Sequence, residues 1–266
     1  MDHYRETKPW TLNGERVEVV ENNEHLGLIV SGLDEEQKNI DENLSKCRKS
    51  IFSLLGPAYA YKCLLSPLVQ NHLWRVYNLP VLVSGLSPLP IRPSTVKSRS
   101  IFQNKMLRGF LKLSNSSPVP ALYFLFGELP VEAIVHINTL ITFHNIWSNP
   151  DTTVFKIVKY ILTMCKTNST TWSNHLQLLC LKYGLPSPLS LLQTNPWPRK
   201  SWKCLVKTNI SPWYEADLRH RALNNSKMKF LNVKLLGLGG APHPAIMNIH
   251  TQQDVKRLRY LRLSDQ

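Results

Sequence analysis

The sequence predicts a mainly α-helical fold that follows a short β-hairpin at the N-terminus. Apolar residues recur every three or four positions between Ile40 and Leu55, and beyond Ser98 the chain divides into segments of helical length bounded by proline and glycine. No strand-like alternation competes with the helical pattern beyond Ser98. With 266 residues, of which 43% are hydrophobic, the chain is long and apolar enough to bury a core.

The predicted hairpin occupies residues 14–30. Residues 16–19 alternate between polar and apolar side chains, and residues 26–30 form a brief apolar run bounded by Asn22-Asn23 and Ser31-Gly32. Two strands alone are marginally stable in water. The hairpin is therefore expected to belong to a sheet whose other strands lie upstream of Met1 or in another chain. We assign residues 1–32 to this first predicted region.

Residues 33–79 form the second predicted region, which contains the first helices. Asp34 and Gln37 are spaced as an N-terminal cap pair, and the helical pattern continues until Gly56-Pro57, where it is expected to end. Pro57 and Pro67 are each well placed to begin a helix. Residues 80–98 follow as a proline-rich connection and a candidate subdomain boundary, because four of the 18 prolines fall between positions 80 and 93.

Helices of moderate length are predicted for the remainder of the chain. Gly127 and Gly184 are placed where helix ends favour a left-handed residue, and Pro130 and Pro212 are placed where helix starts tolerate proline. We divide this part into a helical region at 99–240 and a C-terminal basic helix within 241–266. The predicted helices are 99–113, 119–126, 131–147, 151–166, 171–183, 199–208, 212–224 and 251–263.

The charge of the chain is unevenly distributed. Residues 1–44 carry 11 acidic and 4 basic side chains, a net charge of −7, whereas residues 45–266 carry 7 acidic and 28 basic ones, a net charge of +21. A basic region of this size is typical of a protein that binds a polyanion, and neutralised phosphates release counterions. Nucleic acid is therefore the expected partner, and a basic protein without such a ligand is the alternative.

The five cysteines and the start of the chain indicate the expected compartment. The cysteines are an odd number with no closely spaced pair, and the polar first residues lack the apolar core of a signal peptide. The most apolar region, residues 119–135, is interrupted by prolines and glutamates, so no membrane-spanning segment is expected. The prediction is a protein inside the cell, in the nucleus or cytoplasm, without a membrane partner.

No motif in the sequence has the residue spacing that polymerase, zinc or phosphate-loop chemistry requires. Two-metal polymerisation needs closely held carboxylates, yet the seven aspartates are scattered and none are adjacent. The cysteines and histidines lack zinc-ligand spacing, and Gly237-Leu238-Gly239-Gly240 lacks the lysine of a phosphate-binding loop. We therefore predict no catalytic residue, no metal site, no cofactor and no small-molecule substrate for this chain.

Basic helix faces are the strongest binding signal in the sequence. In the segment 99–113, three cations recur at i, i+3 and i+7 opposite an apolar side, and the segment 199–208 repeats such a pattern at i, i+4 and i+8. Trp197 and Trp202 either stack on bases or pack in the core. The predicted nucleic-acid-binding residues are Lys46, Arg48, Lys49, Lys105, Arg108, Lys112, Arg199, Lys200, Lys203, Lys207, Lys256, Arg257, Arg259 and Arg262.

Four motifs occur in an order that resembles one known family. Residues 12–31 combine an alternating strand, a polar turn and Leu-Gly-Leu-Ile-Val, residues 52–58 read Phe-Ser-Leu-Leu-Gly-Pro-Ala, residues 102–111 form a Lys/Arg-rich helix, and residues 120–130 contain Leu-Tyr-x-x-x-Gly-x-x-Pro. Together they resemble the end of the palm, the thumb and the following helical linker of reverse transcriptases from non-LTR retrotransposons. Tyr183-Gly184-Leu185-Pro186 resembles part of that linker.

The resemblance implies a truncated, non-catalytic fragment of an RNA-directed DNA polymerase. The hairpin would be a palm remnant, and the helix from Asp34 to Leu55 together with Lys105, Arg108 and Lys112 would hold the template–primer backbone without reading sequence. The parent family uses Mg²⁺, but its catalytic aspartates have no counterparts in this chain.

Two other hypotheses remain open at the level of sequence. A helical protein-interaction scaffold would account for the many leucines and aromatic residues. A decayed insertion would have no function of its own.

Overall fold

A computed structural model describes residues 11–16, 20–25, 28–31, 35–60, 65–89, 92–164, 171–228, 238 and 242–247. The described chain is mainly helical, with short antiparallel hairpins at its N-terminal end. The predicted fold class is confirmed. The predicted helix at 251–263 and the cap residue Asp34 lie outside the described residues.

Two short hairpins precede the helices. β1 (Thr11–Leu12) pairs with β2 (Glu15–Arg16) across a turn at Asn13 and Gly14, whose φ angles of 54° and 87° suit a tight Asn-Gly turn. β3 (Asn22–His25) pairs with β4 (Leu28–Ser31). Asn22 and Asn23 were predicted to bound a strand, but they are the first two residues of β3. The prediction missed this strand because its residues are polar and lack the apolar alternation that predicts strands.

The exposed edge of β4 is joined to the first long helix, α1 (Glu35–Ala60). Asn39 of α1 donates from Nδ2 to the carbonyl of Ile29 at 2.8 Å, and its Oδ1 accepts from the Ile29 amide at 2.8 Å. One buried asparagine thus satisfies both backbone groups of an edge residue, beside which the described part of the chain places no further strand. The hairpin is thereby anchored to the helical part of the molecule.

α1 is longer than its sequence predicts. Ile40, Leu44, Cys47 and Leu55 are buried in the core, as the periodicity predicts. The helix does not end at Gly56-Pro57 but continues to Ala60. Pro57 therefore lies inside α1 and does not begin a new helix, although a proline there removes one backbone hydrogen bond.

A π-helical turn separates two short helices after α1. α2 (Pro67–Leu73) begins at the predicted proline, and Ser66 Oγ accepts from the Val69 amide at 3.4 Å. Residues Trp74–Asn78 form the π-helical turn, and α3 (Leu79–Val83) follows it. Pro80 has no amide to donate to the carbonyl four residues earlier, whereas the Leu79 amide bonds to Trp74 O with i to i+5 spacing. The proline therefore explains the widened turn.

The segment from 80 to 98 is packed rather than wholly irregular. α3 occupies its start, and α4 (Pro93–Phe110) begins within it. Leu82 and Leu86 are fully buried, and the Arg99 guanidinium donates from Nε to the Leu82 carbonyl at 2.9 Å. Core side chains thus connect α1, α3 and α4 across this connection.

α5 (Val119–Phe126) and α6 (Val131–Trp147) match their predicted bounds. Gly127 ends α5 in the left-handed conformation, with φ of 64°. Gln103 of α4 then caps α6, because its Oε1 accepts from the Val131 amide at 2.8 Å and its Nε2 donates to the Leu129 carbonyl at 3.1 Å. No single described helix is long and apolar enough to cross a membrane. Only when α5 and α6 are taken together, with a bend of 61° at their junction, do described helices reach the length and apolar composition of a membrane span.

Glu128, in the turn after Gly127, is the buried acid of this junction. Its Oε1 lies 2.8 Å from Arg75 Nε and 2.7 Å from Asn71 Nδ2. Burial raises the pKa of Glu128, and the Arg75 charge and the Asn71 hydrogen bond partly oppose this shift. The pair joins the turn to α2 and the π-helical turn.

Three of the C-terminal helices pack against α6. α7 (Thr153–Met164), α8 (Trp172–Lys182) and the short α9 (Pro188–Leu191) precede α10 (Arg199–Leu223), and α11 (Pro244–Met247) follows a 3₁₀ turn at Ser226–Met228. Of these, α7, α8 and α10 pack against α6. Two helices were predicted at 199–208 and 212–224, but α10 is one helix with Pro212 inside it. Ile210 and Tyr214 are buried on both sides of Pro212, so tertiary packing keeps the helix continuous despite the lost hydrogen bond.

Candidate nucleic-acid interface

The N-terminal half of α10 presents four cations to solvent. Arg199, Lys203 and Lys207 follow i, i+4 and i+8 spacing along one side of the helix, with Lys200 beside them, and all four side chains are exposed. The sequence from 199 to 214 contains no acidic residue. Within the described part of the chain, no carboxylate forms an ion pair with these four cations. We call these four residues the α10 basic row.

The opposite side of α10 fixes the direction of this row. Trp202, Val206 and Ile210 are 0% exposed and pack into the core beside α6. The Trp202 indole donates from Nε1 to the Leu140 carbonyl of α6 at 2.9 Å. Because the buried face cannot rotate outward without exposing these side chains, the basic row must face solvent.

A half-exposed tryptophan lies at the start of the row. Trp197 is 40% exposed, and its ring centroid lies 6.2 Å from that of Trp147 and 6.0 Å from that of Trp202. Its carbonyl accepts from His144 Nε2 at 2.8 Å. Of the two tryptophans proposed to stack or pack, Trp202 packs and Trp197 retains an accessible part.

The first turn of α10 is positively charged by its backbone as well as by its side chains. Pro198 is the N-cap residue and makes no side-chain cap hydrogen bond, and the first turn has no acidic residue. Each cation near a helix N-terminus is unfavourable by about 0.3–1 kcal/mol because it meets the positive end of the helix dipole. The same arrangement favours an anion, because the first-turn amides receive no side-chain cap and Arg199 and Lys200 lie in the same turn.

The C-terminal half of α10 differs in its charge pairing. Arg219 Nη2 lies 2.6 Å from Glu215 Oε1. Arg221 forms a second ion pair, with Asp217. Both pairs have i, i+4 spacing, so the positive charges of this half are neutralised on the helix itself. Only the N-terminal half of α10 therefore carries uncompensated positive charge.

The predicted cations of α1 have mixed surroundings. Lys46 Nζ lies 3.4 Å from Glu42 Oε1 and 3.8 Å from Glu24 Oε1, so its charge is partly neutralised. The Arg48 guanidinium lies over the Phe102 ring, with Cζ 5.9 Å from the ring centroid. Lys49 is exposed.

The three predicted cations of α4 do not form a helical row. α4 ends at Phe110, and Lys112 lies beyond it in the left-handed conformation with φ of 52°. This conformation is usually taken by glycine, so no sequence signal marks the end of the helix here. Arg108 donates from Nη2 to the Ser117 carbonyl at 2.9 Å, which leaves Lys105 as the exposed cation of the predicted helix face.

The cations predicted in the C-terminal segment lie outside the described residues. These are Lys256, Arg257, Arg259 and Arg262. Their role stays a prediction.

A buried polar cluster, which sequence reasoning missed, joins α6, α8 and α10. His136 Nδ1 lies 2.7 Å from Tyr183 Oη and 3.2 Å from Tyr214 Oη, and Lys182 Nζ lies 4.0 Å from the Trp213 ring centroid. Burial lowers the pKa of His136 to about 3 and raises the pKa of both tyrosines. His136 and the two tyrosines are therefore neutral side chains that hydrogen bonds hold together. No spacing in the sequence predicts this cluster, because its members come from three distant segments.

Within the described ranges, no group of three histidine, cysteine or acidic side chains is arranged to hold a metal ion. Cys47 and Cys180 are buried, and burial raises the pKa of each thiol to about 12. Cys204 is exposed on α10, directly after Lys203.

No protein-family model, curated protein or solved structure matches this chain. The resemblance to non-LTR reverse transcriptases therefore rests on the order of its motifs alone. The candidate interface rests on the geometry of α10.

Proposed function

We propose that this chain binds RNA or an RNA–DNA duplex, independently of sequence, through the α10 basic row. The observation that carries the proposal is a row of four exposed cations on a helix whose other face is fixed in the core. Cations at this spacing suit contacts with successive phosphates, which position a nucleic acid without reading its bases. Trp197 adds a surface on which one unpaired base can stack.

The α10 basic row is a better candidate than the other predicted cations. Lys46 is engaged with carboxylates, Arg108 donates to a backbone carbonyl and Arg48 lies over an aromatic ring. The α10 cations combine exposure, regular spacing and a positive helix terminus. Lys49 and Lys105 are secondary candidates because each is exposed on a different helix.

We further propose that the chain is a non-catalytic region of a retroelement reverse transcriptase. The order of the four motifs supports this, as does a helical fold that follows two short hairpins, with no further strand among the described residues. The metal-binding aspartates of the family's palm have no counterparts in this chain. The proposal assigns binding, and no reaction, to the residues described above.

The binding proposal is tested with a fluorescein-labelled RNA of 20 nucleotides and with the matching RNA–DNA duplex, the length being about that of two helical turns. Fluorescence anisotropy measures the affinity of the full chain and of the double variant Lys203→Gln/Lys207→Gln. We expect a loss on the order of tenfold, and a decrease of about 1.4 to 1.8 in the slope of log affinity against log salt. The reason is the removal of two phosphate contacts.

The matched control is Lys156→Gln/Lys159→Gln, which removes the same charge from exposed positions on α7. An equal loss in the control would show that net charge, rather than the α10 basic row, governs binding.

A second readout uses Cys204 in a chain whose Cys63 and Cys165 are replaced by alanine. Bound RNA should slow alkylation of Cys204, and an unchanged rate at saturating RNA would place the binding site elsewhere.

A further inference from the structure

An apolar groove separates α1 from α4, on a different surface from the α10 basic row. Its volume is about 560 Å³, and its apolar walls include Leu44, Ile51 and Leu55 from α1 and Phe102, Met106 and Phe110 from α4. Phe52 and Ile101 also line it and are 75% and 59% exposed. Large apolar side chains exposed together in a concave surface are typical of a binding site.

Both charged residues that line the groove are basic. Arg48 lines it from α1 and Lys105 lines it from α4. Neither residues 43–60 nor residues 93–110 contain an acidic side chain. Arg48 is held against the wall by its position over the Phe102 ring, at 5.9 Å from the centroid. The groove is therefore an apolar channel with a cation on each side.

This combination selects its occupant by charge complementarity. An amphipathic helix places apolar residues at i, i+3, i+4 and i+7 into such a groove, and acidic residues beside that stripe would meet Arg48 and Lys105. A nucleic acid fits less well, because aliphatic walls offer nothing to phosphates. A second copy of this chain would bring the same cations into contact with themselves, and the C-terminal residues 256–262 carry four further cations.

We propose that the groove between α1 and α4 binds an amphipathic helix of a protein partner that carries acidic residues beside its apolar stripe. The groove then serves protein recognition while the α10 basic row serves nucleic acid. The two surfaces lie on different helices, so each can be altered without substituting the residues of the other.

The test uses two synthetic helical peptides with the same leucine stripe, one flanked by glutamates and one by lysines. Fluorescence anisotropy should show that the full chain binds the glutamate peptide at least about tenfold more tightly than the lysine peptide. Ile101→Glu should weaken binding of the glutamate peptide by about tenfold or more, because it places a carboxylate in the apolar wall of the groove. Lys105→Glu should reverse part of the preference between the peptides.

The matched control is Leu181→Glu, which changes a side chain that is 80% exposed on α8 and should alter peptide affinity by less than about twofold. Equal affinity for both peptides, or no saturable binding, overturns the proposal. If Ile101→Glu weakens RNA binding as much as the α10 substitutions do, the groove is instead a nucleic-acid site. A dimer that Ile101→Glu dissociates, measured by sedimentation, would make it a self-association surface.

Discussion

The α10 basic row and the groove between α1 and α4 both carry exposed cations, but they differ in what lies between those cations. Along the N-terminal half of α10, cations follow one another on a helix whose apolar residues are buried on the other side. Between α1 and α4, Arg48 and Lys105 flank apolar side chains that remain accessible. The first arrangement suits a polyanion, and the second suits a partner that combines acidic and apolar groups.

The difference shows why a basic segment in a sequence does not define its ligand. Segments 99–113 and 199–208 have comparable patterns of cations and apolar residues. In the structure, α10 buries its apolar side against α6, whereas part of the apolar side of α4 faces the groove. The ligand class follows from how completely the neighbouring helix covers the apolar face.

Salt should separate the two surfaces by the largest factor. If the four cations of the α10 basic row each contact one phosphate, raising monovalent salt from 50 to 200 mM should weaken RNA binding by about 50-fold for a single strand and about 150-fold for a duplex. The glutamate peptide should weaken by only about two- to threefold, because apolar burial is not screened. Anisotropy titrations at the two salt concentrations make the comparison, and equal salt dependence for the two ligands would contradict the distinction.

Single aromatic substitutions should distinguish the surfaces by a smaller factor. Trp197→Ala removes the half-exposed ring beside the α10 basic row and should weaken single-stranded RNA about fivefold while leaving the glutamate peptide unaffected. Phe52→Ala should do the reverse, because Phe52 is 75% exposed at the groove.

Both aromatic variants need a check of folding, since Trp197 also contacts Trp147 and Trp202. Circular dichroism and thermal unfolding supply it. If each variant weakens both ligands equally, the two sites are coupled or are one site.

Local sequence signals were sufficient to predict the bounds of the helices whose ends carry their own capping residues. α5 and α6 have the predicted bounds because Gly127 takes the left-handed conformation and Pro130 precedes the first turn. Elements that depend on distant contacts were predicted less well. α10 continues through Pro212 because the core holds both sides of it, and β3 forms from polar residues that lack strand alternation.

The candidate site was predicted in part for the same reason. Exposure of Arg199, Lys203 and Lys207 follows from helical periodicity and agrees with the structure. The different surroundings of Lys112 and Arg108 depend on where α4 ends and on the loop that returns to it. The groove has no local signal at all, because it is formed by two helices about fifty residues apart in the sequence.

The smallest predicted effect tests whether charge pairing within α10 matters. Arg221→Gln removes a cation from the same helix as Lys203→Gln, but Arg221 is paired with Asp217 and its loss leaves that carboxylate unpaired. A surface ion pair is worth about 0–1 kcal/mol to stability, so both variants should stay folded. We expect Arg221→Gln to change RNA affinity by less than about twofold and Lys203→Gln to weaken it by about threefold, measured by anisotropy in the same buffer. If the two losses were the same, the phosphate contacts would extend over the whole helix, and the difference between its unpaired and paired halves would have no functional meaning.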